Sequence, residues 1–135
     1  MLSKRLNCIK SLTFSLVCVF VISCESSKEI DSRRFNAKIA HNTAIATPEA
    51  LIVLYYDYPT REGTPNLQLS KKEIGPQHFE ITLIHDNLDD DSVKAIKIDM
   101  TAKRIGNTWQ VQKILKSWKC YDGRDHTDWS SQKCS

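Results

Sequence analysis

The chain predicts an α+β domain in which one helix packs on a curved antiparallel sheet and a C-terminal loop is closed by a disulfide. Three observations carry that expectation. Thr47-Pro48-Glu49 has the form of a helix start, residues 79–85 and 93–103 alternate between apolar and polar side chains, and Cys120 and Cys134 stand close together near the end of the chain. A helix followed by consecutive strands is the pattern of an α+β layer. A small β-barrel or sandwich with a peripheral helix is the alternative.

A leader precedes these elements. Lys4, Arg5 and Lys10 form a positive start, residues 12–22 an apolar run, and Ser23 the small residue expected before a cleavage point. As a helix this run would cover roughly 16 Å, well short of the ~30 Å hydrocarbon core of a bilayer. A cleaved leader therefore fits better than a transmembrane anchor. Val21-Ile22-Ser23-Cys24 resembles the lipobox of the bacterial lipoprotein signal family, whose cysteine is modified with diacylglycerol, freed by cleavage and often N-acylated. The resemblance implies a lipoprotein signal peptide over 1–23 and lipidation of Cys24. An ordinary secretory signal cut near Ser23 would instead leave Cys24 as a free thiol. A single acyl chain holds a protein to a membrane only marginally, whereas two or more hold it stably. Polar residues dominate after Cys24, so 24–40 reads as a flexible tether and 41–135 as one globular domain.

Cleavage changes the charge and the cysteine count. The 19 basic residues of the whole chain include Lys4, Arg5 and Lys10, while all 16 acidic residues lie after Cys24, so the mature chain is neutral. The basic pI belongs to the precursor and gives no support for nucleic-acid binding. Of the 5 cysteines, Cys8 and Cys18 leave with the leader and Cys24 is taken by lipid. Cys120 and Cys134 then form, in an oxidising compartment, most simply a disulfide, with a loop-entropy contribution of ~3 kcal/mol. A zinc or redox pair is the other use of two cysteines, but the spacing is not C-x-x-C and no second ligand cluster accompanies it.

In the mature chain, Thr47 offers a capping hydroxyl, Pro48 suits the first turn and Glu49 complements the helix dipole. A helix of about eleven residues is expected, with Leu51, Leu54, Tyr55 and Tyr58 on one apolar face and Pro59 as its stop. The Val- and Tyr-rich stretch 51–56 also suits a buried strand. Gly63, Pro65, Gly75 and Pro76 mark 60–76 as a loop with a short strand at 67–69. Phe79, Ile81, Leu83 and His85 have the period of a half-buried strand, and the acidic stretch 86–91 turns the chain. Over 93–103, Ile96, Ile98, Met100 and Ala102 face one way and Ala95, Lys97, Asp99, Thr101 and Lys103 the other. Ile105-Gly106-Asn107 is a turn, and Trp109, Val111 and Leu115 open a returning strand in which Ile114 implies a bulge. The order of these elements over 47–119, with Trp109-Gln110-Val111 in the last strand, resembles the NTF2-like or cystatin-like roll.

The densest group of functional side chains is the stretch from Cys120 to Trp129, which carries Asp122, Arg124, Asp125, His126 and Asp128. With Trp109, Cys120, Gly123, Arg124, His126, Trp129 and Cys134 it resembles an uncharacterised family of bacterial exported proteins ending in W…C…GR-x-H-x-x-W…C. The resemblance implies no activity, substrate or cofactor. Chemically, His126 with Asp125 or Asp122 has the composition of an acid/base or metal site, because an imidazole beside a carboxylate titrates near neutral pH or binds zinc. Against this stands a structural use: Arg124 pairing with a carboxylate, His126 bonded to backbone, and Trp129 packed under the disulfide. No nucleophile or ligand set of fixed spacing accompanies His126, which favours the structural use.

Asp86, Asp89, Asp90 and Asp91 lack the glycine and distal glutamate of a calcium loop. His41, His78 and His85 are isolated in sequence. Lys94, Lys97, Lys103, Arg104, Lys113, Lys116 and Lys119 make the last hairpin basic, suited to anionic lipid or polysaccharide or simply to a solvated face. Taken with these features, the lipobox resemblance implies a membrane-anchored envelope lipoprotein facing away from the cytoplasm, acting as a binding or structural module toward an envelope protein or polysaccharide. No cofactor or metal is called for. The alternative is an envelope hydrolase or metal-dependent enzyme using His126 with Asp122 or Asp125.

Overall fold

The computed structural model describes residues 26–58 and 66–135. The leader, Cys24, the expected helix stop at Pro59 and the first part of the 60–76 loop lie outside the described residues. Among the described residues the elements are β1 (Lys28–Ile30), α1 (Arg33–Ile39), α2 (Pro48–Tyr56), β2 (Leu67–Gly75), β3 (His78–His85), β4 (Val93–Ile105) and β5 (Thr108–Cys120). The strands form one antiparallel sheet in the order β1-β5-β4-β3-β2. The fold is therefore α+β, with two helices rather than one.

Side-chain alternation builds the sheet's inner face. Leu83 lies opposite Ile98 and Ile81 opposite Met100, while Met100 and Ala102 lie opposite Ile114 and Val111 of β5. All of these are buried. The register between β4 and β5 slips where Thr101 pairs with Lys113 and Ala102 with Val111, leaving Gln112 over. This is the expected bulge, and it turns Ile114 inward where uninterrupted alternation from Val111 would bury Leu115. Gly106, at φ +61° in the β4–β5 turn, adopts a conformation that costs glycine little.

Helix α2 lies against β3 and β2, and α1 against β5. Thr47 caps α2 by accepting from Ala50 N at 3.1 Å, and Asp57 ends it in a left-handed conformation, its N–H bonded to the Val53 carbonyl. The helix forms where a strand was the competing reading, but its buried face is Pro48, Leu51 and Ile52. Apolar residues on nearly every side of the segment hide which face turns inward. Glu49 adds an ion pair to Lys71 of β2 at 2.7 Å.

Two expectations give way. Residues 67–75 form a full strand rather than a short one within a loop, pairing with β3 along its length. Seven of its nine residues are exposed, so an edge strand held by backbone bonds left no apolar alternation to read. The tether expected over 24–40 instead contains β1 and α1. β1 pairs with β5 from Lys28 opposite Lys116 to Ile30 opposite Ile114, and α1 places Phe35 and Ile39 in the core. Asn36 of α1 then stands in for a strand residue, donating from Nδ2 to the Val111 carbonyl at 2.7 Å and accepting from Val111 N at 2.8 Å. Two apolar residues among many polar ones suffice because α1 is short and buries only one side.

Candidate functional site

The C-terminal segment is built onto β5. Cys120, the last residue of that strand and almost fully buried, is joined to Cys134 in a disulfide with Cα atoms 5.6 Å apart. Beyond the end of β1, Ser130 continues its lane along β5: Ser130 N donates to the Trp118 carbonyl and Trp118 N to the Ser130 carbonyl, both at 3.0 Å. Cys120 N donates to the His126 carbonyl at 2.9 Å and Tyr121 N to the Ser92 carbonyl at 2.9 Å. The Tyr121 hydroxyl donates to the Leu88 carbonyl at 2.9 Å. The loop is thus tied both to its own strand and to the turn before β4.

His126 sits at the centre of this loop. Its Nδ1 lies 3.0 Å from the Asp128 carbonyl and its Nε2 3.0 Å from the Gln132 carbonyl, with Cys120 Sγ 3.4 Å from Nε2. Carbonyl oxygens only accept, so both ring hydrogen bonds form together only when both nitrogens carry a proton; a neutral ring makes one of them. A ring used in this way has no lone pair directed at a substrate. The donor atoms of Cys120, His126 and Cys134 lie within 4.8 Å of one another. With the two sulfurs bonded to each other, neither is the thiolate that binds a metal.

The neighbouring charges are engaged or solvated. Asp125 accepts from Ser135 N at 2.6 Å, and the hydrogen bonds from Ser135 hold its carboxyl below the usual range, with smaller help from His126 and Arg124. Asp122 and Arg124 are exposed, and Arg124 forms no ion pair within 4.0 Å among the described residues. Trp129 lies on the outer face of the sheet rather than under the disulfide, with the ammonium groups of Lys119 at 4.9 Å and Lys97 at 5.1 Å from its ring centre. Ala95 and Ser117, outward by register, are buried, and Ala95 lines a small pocket together with Trp129.

The acidic turn serves the strand that follows it. Asp90 accepts from Val93 N at 2.7 Å and from Ser92 N at 2.8 Å, and these bonds keep its carboxyl ionised to lower pH than an ordinary aspartate. The basic hairpin is divided by the sheet. Lys97, Lys103, Lys113 and Lys119 belong to the outer face, whereas Arg104 lies over Trp109 and Lys116 over Trp118 on the helix side. Burial, and secondarily Lys133, pushes the Lys116 ammonium below its ordinary value.

Sequence reading passed over one aromatic cluster. His85 is 5% exposed, its Nδ1 sharing a hydrogen bond with the Tyr56 hydroxyl at 2.7 Å, and the Tyr58 ring stands edge-on to it at 5.0 Å. The available signal was its place as the last inward residue of the alternation over 79–85. Among the described residues no helix is long and apolar enough to cross a membrane. Neither the family models, the curated proteins nor the solved structures compared with the chain contain a match to it.

Proposed function

We propose that this chain is a lipid-anchored protein of the bacterial cell envelope that acts as a binding or structural module. The observation that carries the reading is Val21-Ile22-Ser23-Cys24 behind a basic start and an apolar run too short to span a bilayer. The disposition of His126 supports a structural use of the C-terminal loop, since both ring nitrogens face backbone carbonyls and the Asp125 carboxylate faces Ser135. The disulfide suits an exported protein. We also assign the architecture to the NTF2-like or cystatin-like roll, on the support of a helix lying against a sheet whose strands β2 to β5 follow one another as hairpins.

The test is the intact mass of the full chain expressed in a bacterium, alongside Cys24→Ser. Loss of residues 1–23 with diacylglyceryl and acyl groups on Cys24, and release of Cys24→Ser from the membrane fraction or failure of its cleavage, is the expected result. A cleaved chain with unmodified Cys24 would identify an ordinary secretory signal. An uncleaved chain in the membrane would identify an anchor helix.

A further inference from the structure

An open cleft lies where β1, α1 and α2 meet. It has a volume of about 570 Å³ and is lined by Ile30, Asp31, Arg34, Phe35, Lys38 and Tyr55. That size is within the range of small-molecule sites. Ile30, Phe35 and Tyr55 supply the apolar floor, with the Phe35 and Tyr55 rings edge to face at 5.1 Å. Tyr55 is partly buried there, and burial pushes its phenol above the ordinary value.

The charges at the rim are unequal. Asp31 is spent on Arg33, whose guanidinium reaches both carboxylate oxygens at 2.6–3.1 Å. Arg34 and Lys38, four residues apart on α1 and both exposed, form no ion pair among the described residues. The cleft therefore presents an apolar floor under two uncommitted cations, a combination complementary to an anionic amphiphile.

Position selects which one. β1 begins at Lys28. Four peptide units separate it from Cys24, and even fully extended these span no more than about 14 Å. A chain lipidated at Cys24 thus has β1, and with it the cleft, held close to the headgroups, where anionic lipids attract basic residues.

We propose that this cleft binds one anionic phospholipid of the anchoring membrane, with Arg34 and Lys38 holding the phosphate-bearing headgroup and Ile30, Phe35 and Tyr55 covering the upper part of one acyl chain. The choice of a membrane lipid rests on the lipid-anchor reading; the cleft and its two cations do not. Bound in this way, the lipid fixes the orientation of the domain on the bilayer, with α1 turned toward the surface.

The test is native mass spectrometry of the full-chain product purified in non-ionic detergent, titrated separately with phosphatidylglycerol, phosphatidylcholine and palmitate. One phosphatidylglycerol is expected to be retained at a concentration about thirty-fold below phosphatidylcholine, the factor two surface cations supply. Arg34→Gln/Lys38→Gln brings phosphatidylglycerol to the phosphatidylcholine level, with folding verified by circular dichroism; both residues are exposed. Lys103→Gln/Lys113→Gln on the outer face leaves it unchanged. Equal retention of the two phospholipids, an unaffected Arg34/Lys38 variant, an equal loss in the outer-face variant, or uptake of palmitate in place of phosphatidylglycerol overturns the proposal. The same spectra weigh the Cys24 adduct. Selective phosphatidylglycerol binding by a chain without the adduct would overturn the anchor and leave the cleft, and an adduct without selectivity would do the reverse.

Discussion

The inner face of the sheet and the C-terminal loop are held by different physics. In the sheet, Ile81, Leu83, Ile98, Met100 and Ile114 are enclosed against α1 and α2, and non-directional burial at about 1.5–3 kcal/mol per large side chain sets their contribution. The loop after Cys120 buries little of itself. Its shape rests on one covalent bond, the paired backbone bonds between Trp118 and Ser130, and the carbonyls around His126. A core of this kind tolerates small shifts in partner atoms. A loop of this kind depends on a few directional contacts, each of which can be removed singly.

The largest effect should come from the core. Leu51 is fully enclosed, and Leu51→Ala should cost about 2–5 kcal/mol, a large part of the ~5–15 kcal/mol typical of a domain. Urea denaturation should show one lower midpoint for signals from both sheet and loop. A loss below about 1 kcal/mol would mean that α2 is peripheral, and the contrast between the two regions would then be drawn in the wrong place.

Reducing the disulfide should act more locally. Closure of a loop with a sequence separation of 14 contributes about 3 kcal/mol through the unfolded chain. In the folded state, amide exchange at Trp118, Cys120 and Ser130 should quicken while Met100 in β4 exchanges no faster than the lowered global stability requires. Equal acceleration at Met100 beyond that limit would show that the loop is part of the sheet's cooperative unit.

The two regions also differed in how much of them could be read in advance. Alternation gave β3, β4 and the bulged β5, because a two-sided sheet writes its inner face into every second residue. Thr47 and Pro48 gave the start of α2, since capping is local chemistry. β1 and α1 escaped because Phe35 and Ile39 become meaningful only when β5 offers a lane and Val111 offers its backbone to Asn36. Most of β2 escaped for a related reason: its stability is lent by β3 through backbone bonds that carry no sequence pattern. At the loop, the disulfide and the backbone-bonded His126 followed from spacing and composition, whereas the place of Trp129 depended on Lys97 and Lys119 meeting it from separate strands.

Asp90 provides the smallest test, at the turn where the two regions meet. Its carboxylate fixes Ser92 and Val93, and the Ser92 carbonyl in turn accepts from Tyr121 N at 2.9 Å, with Arg124 nearby also favouring the charged form. The folded chain therefore holds this carboxyl below its unfolded value of about 3.9. A group depressed in the folded state binds its proton less readily there than in the unfolded chain, so its contribution is complete above about pH 4–5 and is lost as pH falls through the folded value. Asp90→Asn should accordingly lower stability slightly at pH 7, and the gap to wild type should close on acidification. Urea midpoints at pH 7, 5, 4 and 3, together with Tyr121 amide exchange, measure both halves of the effect. A constant gap across that series would show that the turn is held by shape alone. A closing gap with unchanged Tyr121 exchange would show that Asp90 serves β4 without reaching the loop, and would separate the two regions more sharply than the disulfide joins them.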